Sequence, residues 1–138
     1  MRYLLDTCLL SEFLKKLPNV GVRQWFDAQE EESLCLSVLA IGEIRKGITK
    51  LPESKRRTEL ELWLESLVRR YDKRILPFTI VSANLWGLLK GRLEKQGKVL
   101  SVIDSLMAAT ALEHDLTIVT RNEDDFMQTG VNLLNVWE

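Results

Sequence analysis

Short apolar runs alternate with longer amphipathic segments along the whole chain. Tyr3-Leu4-Leu5 reads as a strand stopped by Asp6. Thr7 to about Lys16 reads as a short helix closed at Leu17-Pro18, because proline disfavours helix in the residue before it. Asn19 is placed to cap a helix to about Gln29, with Val22, Trp25 and Phe26 on one face. Beyond the polar Glu30-Glu31-Glu32, Leu34–Val38 predicts a second strand, and Ser37 can cap a helix to about Lys50. After Pro52, Ser54 to about Tyr71 carries Leu60, Trp63, Leu64 and Leu67 at spacings of three and four, the period of a long helix.

The second half repeats the alternation. Ile75–Phe78 predicts a compact strand, and Thr79 caps a helix that runs to Gln96-Gly97. Ser101–His114 is apolar nearly all round through Leu106–Leu112, so this helix is expected to be central. Leu116–Thr120 is β-branched and bounded by polar residues, the clearest strand of all. A short helix over about Glu123–Met127 ends near Gly130, and Val131–Val136 supplies a last strand. Strands alternating with helices predict parallel pairing, hence an α/β fold: a three-layer α/β/α sandwich with a central parallel sheet.

Length and composition narrow the class. The 138 residues fit one domain, residues 1–138, and 46% hydrophobic content with three prolines leaves no disordered tail or linker. The opening apolar run meets Asp6 and Glu12 too early for a signal peptide. No run approaches the ~18 apolar residues of a membrane span, so the expected location is the cytoplasm. Cys8 and Cys35 have no CxxC partner, and His114 is the only histidine, so reduced thiols in or near the core are expected rather than a disulfide or a zinc site.

Net charge is −1, but its distribution is uneven: residues 45–98 carry 14 Lys and Arg against 6 Asp and Glu, and the flanks carry 5 against 14. Solvated helix faces account for such a segment. A footprint for a polyanion, with acids elsewhere holding a metal, accounts for it as well.

Four acids fall where this fold can gather them: Asp6 after the first strand, Glu43 in the helix after the second, Asp104 early in the apolar helix, and Asp125 beyond the Val119 strand. Capping explains several singly, through Ser101-x-x-Asp104 and Asn122-x-x-Asp125 boxes and Asp6 at the start of the Thr7 helix. Two have surroundings that capping does not explain. Asp104 shares a helix face with Met107, Ala108 and Ala111, and Glu43 shares one with Leu39, Ala40 and Gly47. A carboxylate on such a face costs several kcal/mol unless a charge or metal compensates it. Converging acids suit a hard cation, Mg²⁺ or Mn²⁺.

These residues also carry a family resemblance. Leu4-Leu5-Asp6-Thr7-x-x-Leu10-Ser11-Glu12, Ser37-Val38-x-x-x-Gly42-Glu43-Ile44-Arg45-x-Gly47, Asp104-Ser105-x-x-Ala108-Ala109-Thr110-Ala111 and Val119-Thr120-Arg121-Asn122-x-x-Asp125-Phe126 together resemble a PIN domain. More closely they resemble VapC-type toxins of bacterial toxin–antitoxin pairs, including the FitB-like branch. The resemblance implies a Mg²⁺-dependent endoribonuclease that hydrolyses RNA phosphodiester bonds with metal-activated water. It also implies a cognate VapB-type antitoxin, and either a homodimer or a larger toxin–antitoxin complex.

Carried over by position, Asp6, Glu43 and Asp104 take the family's three most regular acidic places. Asp6 and Asp104 would bind one ion, with Glu43 and Asp125 or Asn122 acting through waters or a second ion. Some relatives have aspartate where this chain has Asn122, and Asp125 is the favoured fourth acid. Thr7, Thr120 and Arg121 would support waters or phosphates, and Trp63 is the expected antitoxin contact. Cys8 stands where asparagine is common.

Other classes fit less well. A haloacid-dehalogenase-type phosphatase needs a second aspartate at the Cys8 position, and the spacing of a receiver domain is absent. The rival is a non-catalytic PIN-like module binding RNA or protein, kept open by the departures at Cys8 and Asn122. A titration with Mg²⁺ or Mn²⁺ separates the two.

Overall fold

The computed structural model describes residues 2–138. Its five strands are β1 (Tyr3–Leu5), β2 (Leu34–Ser37), β3 (Ile75–Leu76), β4 (Thr117–Val119) and β5 (Leu133–Leu134). They form one sheet in the order β3-β2-β1-β4-β5, with every neighbouring pair parallel. Seven helices join them: α1 (Thr7–Glu12), α2 (Val20–Asp27), α3 (Val38–Thr49), α4 (Lys55–Arg70), α5 (Ile80–Lys95), α6 (Val102–His114) and α7 (Glu123–Phe126).

Strand alternation divides the core between two faces of the sheet. Leu5, Leu34, Leu36 and Val119 pack with Leu9, Val22, Ile44, Ile48, Leu64 and Tyr71 from the α1–α4 side. Leu4, Cys35 and Ile118 face the other way, against Leu89, Leu93, Met107, Ala108 and Phe126 from α5, α6 and α7. Three layers result, as the alternating pattern predicts. Among the described residues no helix is long and apolar enough to cross a membrane.

The expected elements are present, with several shorter than predicted. β3 stops at Leu76, before Pro77, whose missing N–H cannot extend a ladder. β5 keeps two residues of the expected six, because only Ile118 and Val119 pair with it at the sheet edge. α1 ends at Glu12 rather than near Lys16. The Glu12 side chain is buried and accepts from Asn19 N (3.0 Å), Lys15 Nζ (3.0 Å) and Trp137 Nε1 (3.1 Å). Those donors hold the chain where it turns back after the six residues of α1. At α2, Gly21 lies so close to the C-terminal strap that a Cβ there would meet the Val136 carbonyl oxygen at 2.5 Å.

Chain order creates the site. From β1 the chain moves outward to β2 and β3, then crosses back to place β4 on the other side of β1. The reversal leaves a crevice beyond the carboxyl ends of β1 and β4, the place where open α/β sheets bind ligands.

Candidate functional site

Asp6 follows the last residue of β1, 6% exposed, and its backbone N–H donates to the Val119 carbonyl at 3.1 Å. Its carboxylate caps α1 by accepting from Thr7 N at 2.8 Å. The other oxygen accepts from Thr120 Oγ1 at 2.7 Å and from the Cys8 thiol at 3.6 Å. Capping is therefore real, yet it uses one oxygen of a carboxylate that is almost fully buried. Burial lifts the Asp6 carboxyl above the ordinary carboxylate range against the pull of the Thr120 and Thr7 hydrogen bonds, and the Asp104 charge adds to the rise.

The other three acids approach from separate elements. Glu43 is half-buried on α3 and accepts from Thr7 Oγ1 at 2.7 Å. Asp104 sits in the first turn of α6, where its backbone N–H is capped by Ser101 Oγ at 3.2 Å. Its carboxyl is raised mainly by burial, which the Ser101 hydroxyl opposes, and further by the charges of Asp125 and Glu43. Asp125 lies exposed on α7, beside Arg121 and Asn122 in a polar hollow. The expected Asn122–Asp125 capping box does not form: Asn122 makes no side-chain cap, and only the Asp125 N–H to Asn122 carbonyl bond is present, at 3.1 Å. The Asn122 N–H is held instead by Thr120 Oγ1 at 3.0 Å.

All four acids are thus brought to one end of the sheet, with Asp6 in the field of Asp104 and Asp104 in the fields of Asp125 and Glu43. Among the described residues none of the four forms an ion pair with lysine or arginine. No three acidic, histidine or cysteine side chains among those residues are gathered tightly enough to chelate an ion as they stand. Thr7 holds the Glu43 carboxylate through its 2.7 Å bond. The donor set itself is all oxygen and anionic, which suits Mg²⁺ or Mn²⁺.

Sequence reasoning overlooked the struts behind Asp104. Trp86 Nε1 on α5 donates to Ser105 Oγ at 2.9 Å, and Lys90 Nζ reaches the Leu100 carbonyl at 2.5 Å, so two α5 side chains hold the entry to α6. The only signal was a tryptophan and a lysine four residues apart on one helix face. Trp63 is half-buried and lines a small pocket with Phe13, Phe26, Leu67, Arg70 and Tyr71.

The PIN domain family profile matches residues 3–132. The chain belongs to the PIN-domain family. Within it, the chain is 35% identical over 135 residues to VapC ribonuclease Y4jK of Sinorhizobium fredii, covering 97% of this chain and 96% of the relative. It is 34% identical over 135 residues to toxin FitB of Neisseria gonorrhoeae, covering 97% of each. The crystal structure of FitAcB from Neisseria gonorrhoeae superposes with a TM-score of 0.91 at 34% identity, over 99% of both chains. This PIN domain is therefore of the VapC and FitB type.

The raised Asp6 and Asp104 carboxyls make folding stability depend on pH. Their folded values exceed their unfolded ones, so their contribution is fully present below the unfolded carboxylate range and is lost as pH rises through the raised values. Glu12 runs the opposite way: burial pushes it up, but the Asn19, Lys15 and Trp137 donors bring it below the ordinary range, so acidification removes its support. In metal-free buffer, Asp104→Asn should raise the neutral-pH Tm by a few degrees and leave the Tm at pH 3 unchanged. A lower neutral-pH Tm in this variant would mean that the Asp104 charge does not oppose folding.

Proposed function

We propose that this PIN domain is a Mg²⁺- or Mn²⁺-dependent endoribonuclease, the toxin of a VapBC-type module, working in the cytoplasm. The observation that carries the reading is the approach of Asp6, Glu43, Asp104 and Asp125 to the carboxyl ends of β1 and β4 with none of the four in an ion pair to lysine or arginine among the described residues. The similarity to a protein named as a VapC ribonuclease supplies the substrate class.

Asp6 and Asp104 are the principal metal-holding residues in this reading, with Glu43 and Asp125 completing the acidic set. A bound divalent cation supplies an activated water and stabilises charge on the leaving oxygen of the phosphodiester. Thr120 and Thr7 orient Asp6 and Glu43 through the short bonds described above. Exposed Arg121, at the rim, is placed to contact the RNA backbone. The basic segment of α4 and α5 grips phosphates, which makes binding fall with salt.

Asp125 rather than Asn122 is assigned the fourth acidic position, since its charge acts on Asp104 while the Asn122 backbone is tied to Thr120. Comparing Asp125→Ala with Asn122→Ala in an RNA-cleavage assay tests this. Asp125→Ala should lose at least about tenfold in rate, or ~1.4 kcal/mol, and Asn122→Ala much less. The reverse order would transfer the role to Asn122.

The same reading carries a homodimer and a cognate VapB-type antitoxin. The antitoxin's apolar segment would contact the pocket at Trp63. Co-purification of the pair and its disruption by Trp63→Ala test that contact.

A further inference from the structure

Cys8 occupies the first turn of α1, two residues beyond Asp6, and is half-buried. Its sulfur stands among three groups from two different strand ends. The thiol donates to Asp6 Oδ2 at 3.6 Å, accepts from the Arg121 backbone N–H at 3.5 Å, and lies 3.8 Å from Thr120 Oγ1. Thr120 Oγ1 in turn donates to the same Asp6 oxygen and accepts from Asn122 N. The result is a closed ring of contacts. Two backbone N–H groups of the loop after β4 reach one carboxylate oxygen of Asp6, one through the thiol and one through the threonine hydroxyl.

We propose that Cys8 is a positioning residue for Asp6: its thiol fixes the Asp6 carboxylate and couples it to the Arg121 backbone N–H. The inference rests on the metal-dependent reading given above. The role needs a side chain that donates in one direction and accepts in the other. A thiol does both, weakly. Serine and asparagine also do both, whereas alanine and valine do neither. Without such a group, Asp6 Oδ2 keeps Thr120 alone, and the Arg121 N–H loses its partner. The carboxylate can then turn about its Cα–Cβ and Cβ–Cγ bonds, and the loop leading to Asp125 loosens beside it. Partners of this kind behind a metal ligand typically change metal affinity by about 10–100-fold when removed.

The position is accessible to a direct readout that does not depend on catalysis. Mn²⁺ affinity of the metal-free protein, measured by electron paramagnetic resonance without RNA, should fall roughly tenfold in Cys8→Ala. It should return to within about threefold of wild type in Cys8→Asn or Cys8→Ser. Cys8→Val, which fills the space without polar contacts, should bind as poorly as Cys8→Ala. A packing role alone predicts the contrary order, with Val the best replacement and Asn the worst.

Wild-type affinity in Cys8→Ala, or recovery by Val but not by Ser or Asn, would overturn the proposal. Asp6→Asn serves as the control that separates the two levels of inference. Unchanged Mn²⁺ binding in Asp6→Asn overturns the metal reading and this proposal with it. Loss in Asp6→Asn beside unchanged binding in Cys8→Ala overturns the role of Cys8 alone.

Discussion

Replacing Asp6 by asparagine is expected to lower RNA cleavage by at least about a hundredfold, equivalent to ~2.7 kcal/mol of transition-state stabilisation. The substitution keeps the shape of the side chain and an oxygen to accept the Thr7 N–H, so α1 retains its cap. What it removes is the charge, in a crevice where burial makes charge scarce and valuable. An amide is a poor ligand for a hard cation, and its NH2 would face Thr120 Oγ1, which already accepts from Asn122 N. Circular dichroism should show a folded variant, and Mg²⁺ should no longer raise its Tm. Wild-type cleavage rates from a folded Asp6→Asn protein would remove Asp6 from the reaction.

Phe126→Ala should cost about 3–5 kcal/mol of folding stability, a large share of the roughly 5–15 kcal/mol that keeps a domain folded. Phe126 is fully buried at the end of α7, in the cluster with Leu4, Met107, Ala108 and Ile118. α7 is a single turn, too short to stand without tertiary packing, and Phe126 is its only buried residue. The same residue is the anchor for its neighbour Asp125. Loss of the ring should therefore reduce cleavage more than the stability change alone predicts, under conditions where the variant is still folded. Phe126→Leu should lose less than about half as much, because much of the apolar volume is kept. Urea unfolding measures both, with an unchanged m-value marking a true stability effect. A loss under 1 kcal/mol in Phe126→Ala would mean that α7 is held by other contacts.

Most of the architecture was legible because both periods were clean. Tyr3–Leu5 and Leu116–Thr120 announced strands, and the all-round apolar α6 announced a central helix. Edges and ends were less legible, since they depend on partners distant in sequence. The end of α1 is set by Glu12, whose donors include Trp137 at the other end of the chain. β5 is limited by how much of β4 it can pair with.

The site divides in the same way. Asp104 and Glu43 stood out because they interrupt apolar helix faces, and Asp6 because a strand stops at it. The ring through Cys8, Thr120 and Arg121 was not legible, because it exists only once β1 and β4 are neighbours. Cys8 and Thr120 are separated by 112 positions. Read as a sequence, Cys8 was a departure from a familiar motif; in the fold it is a contact of the carboxylate two residues before it.

In the proposed function, Asp6, Glu43, Asp104 and Asp125 form one cation-dependent site for cutting RNA. Its most direct test is cleavage of a single-stranded RNA by the purified, antitoxin-free chain in Mg²⁺, after EDTA, and after Mg²⁺ is restored. Endonucleolytic fragments should form in Mg²⁺, vanish with EDTA and return with the metal. Fragments that persist in EDTA, or an intact RNA in Mg²⁺ and Mn²⁺ alike, would contradict the proposed function.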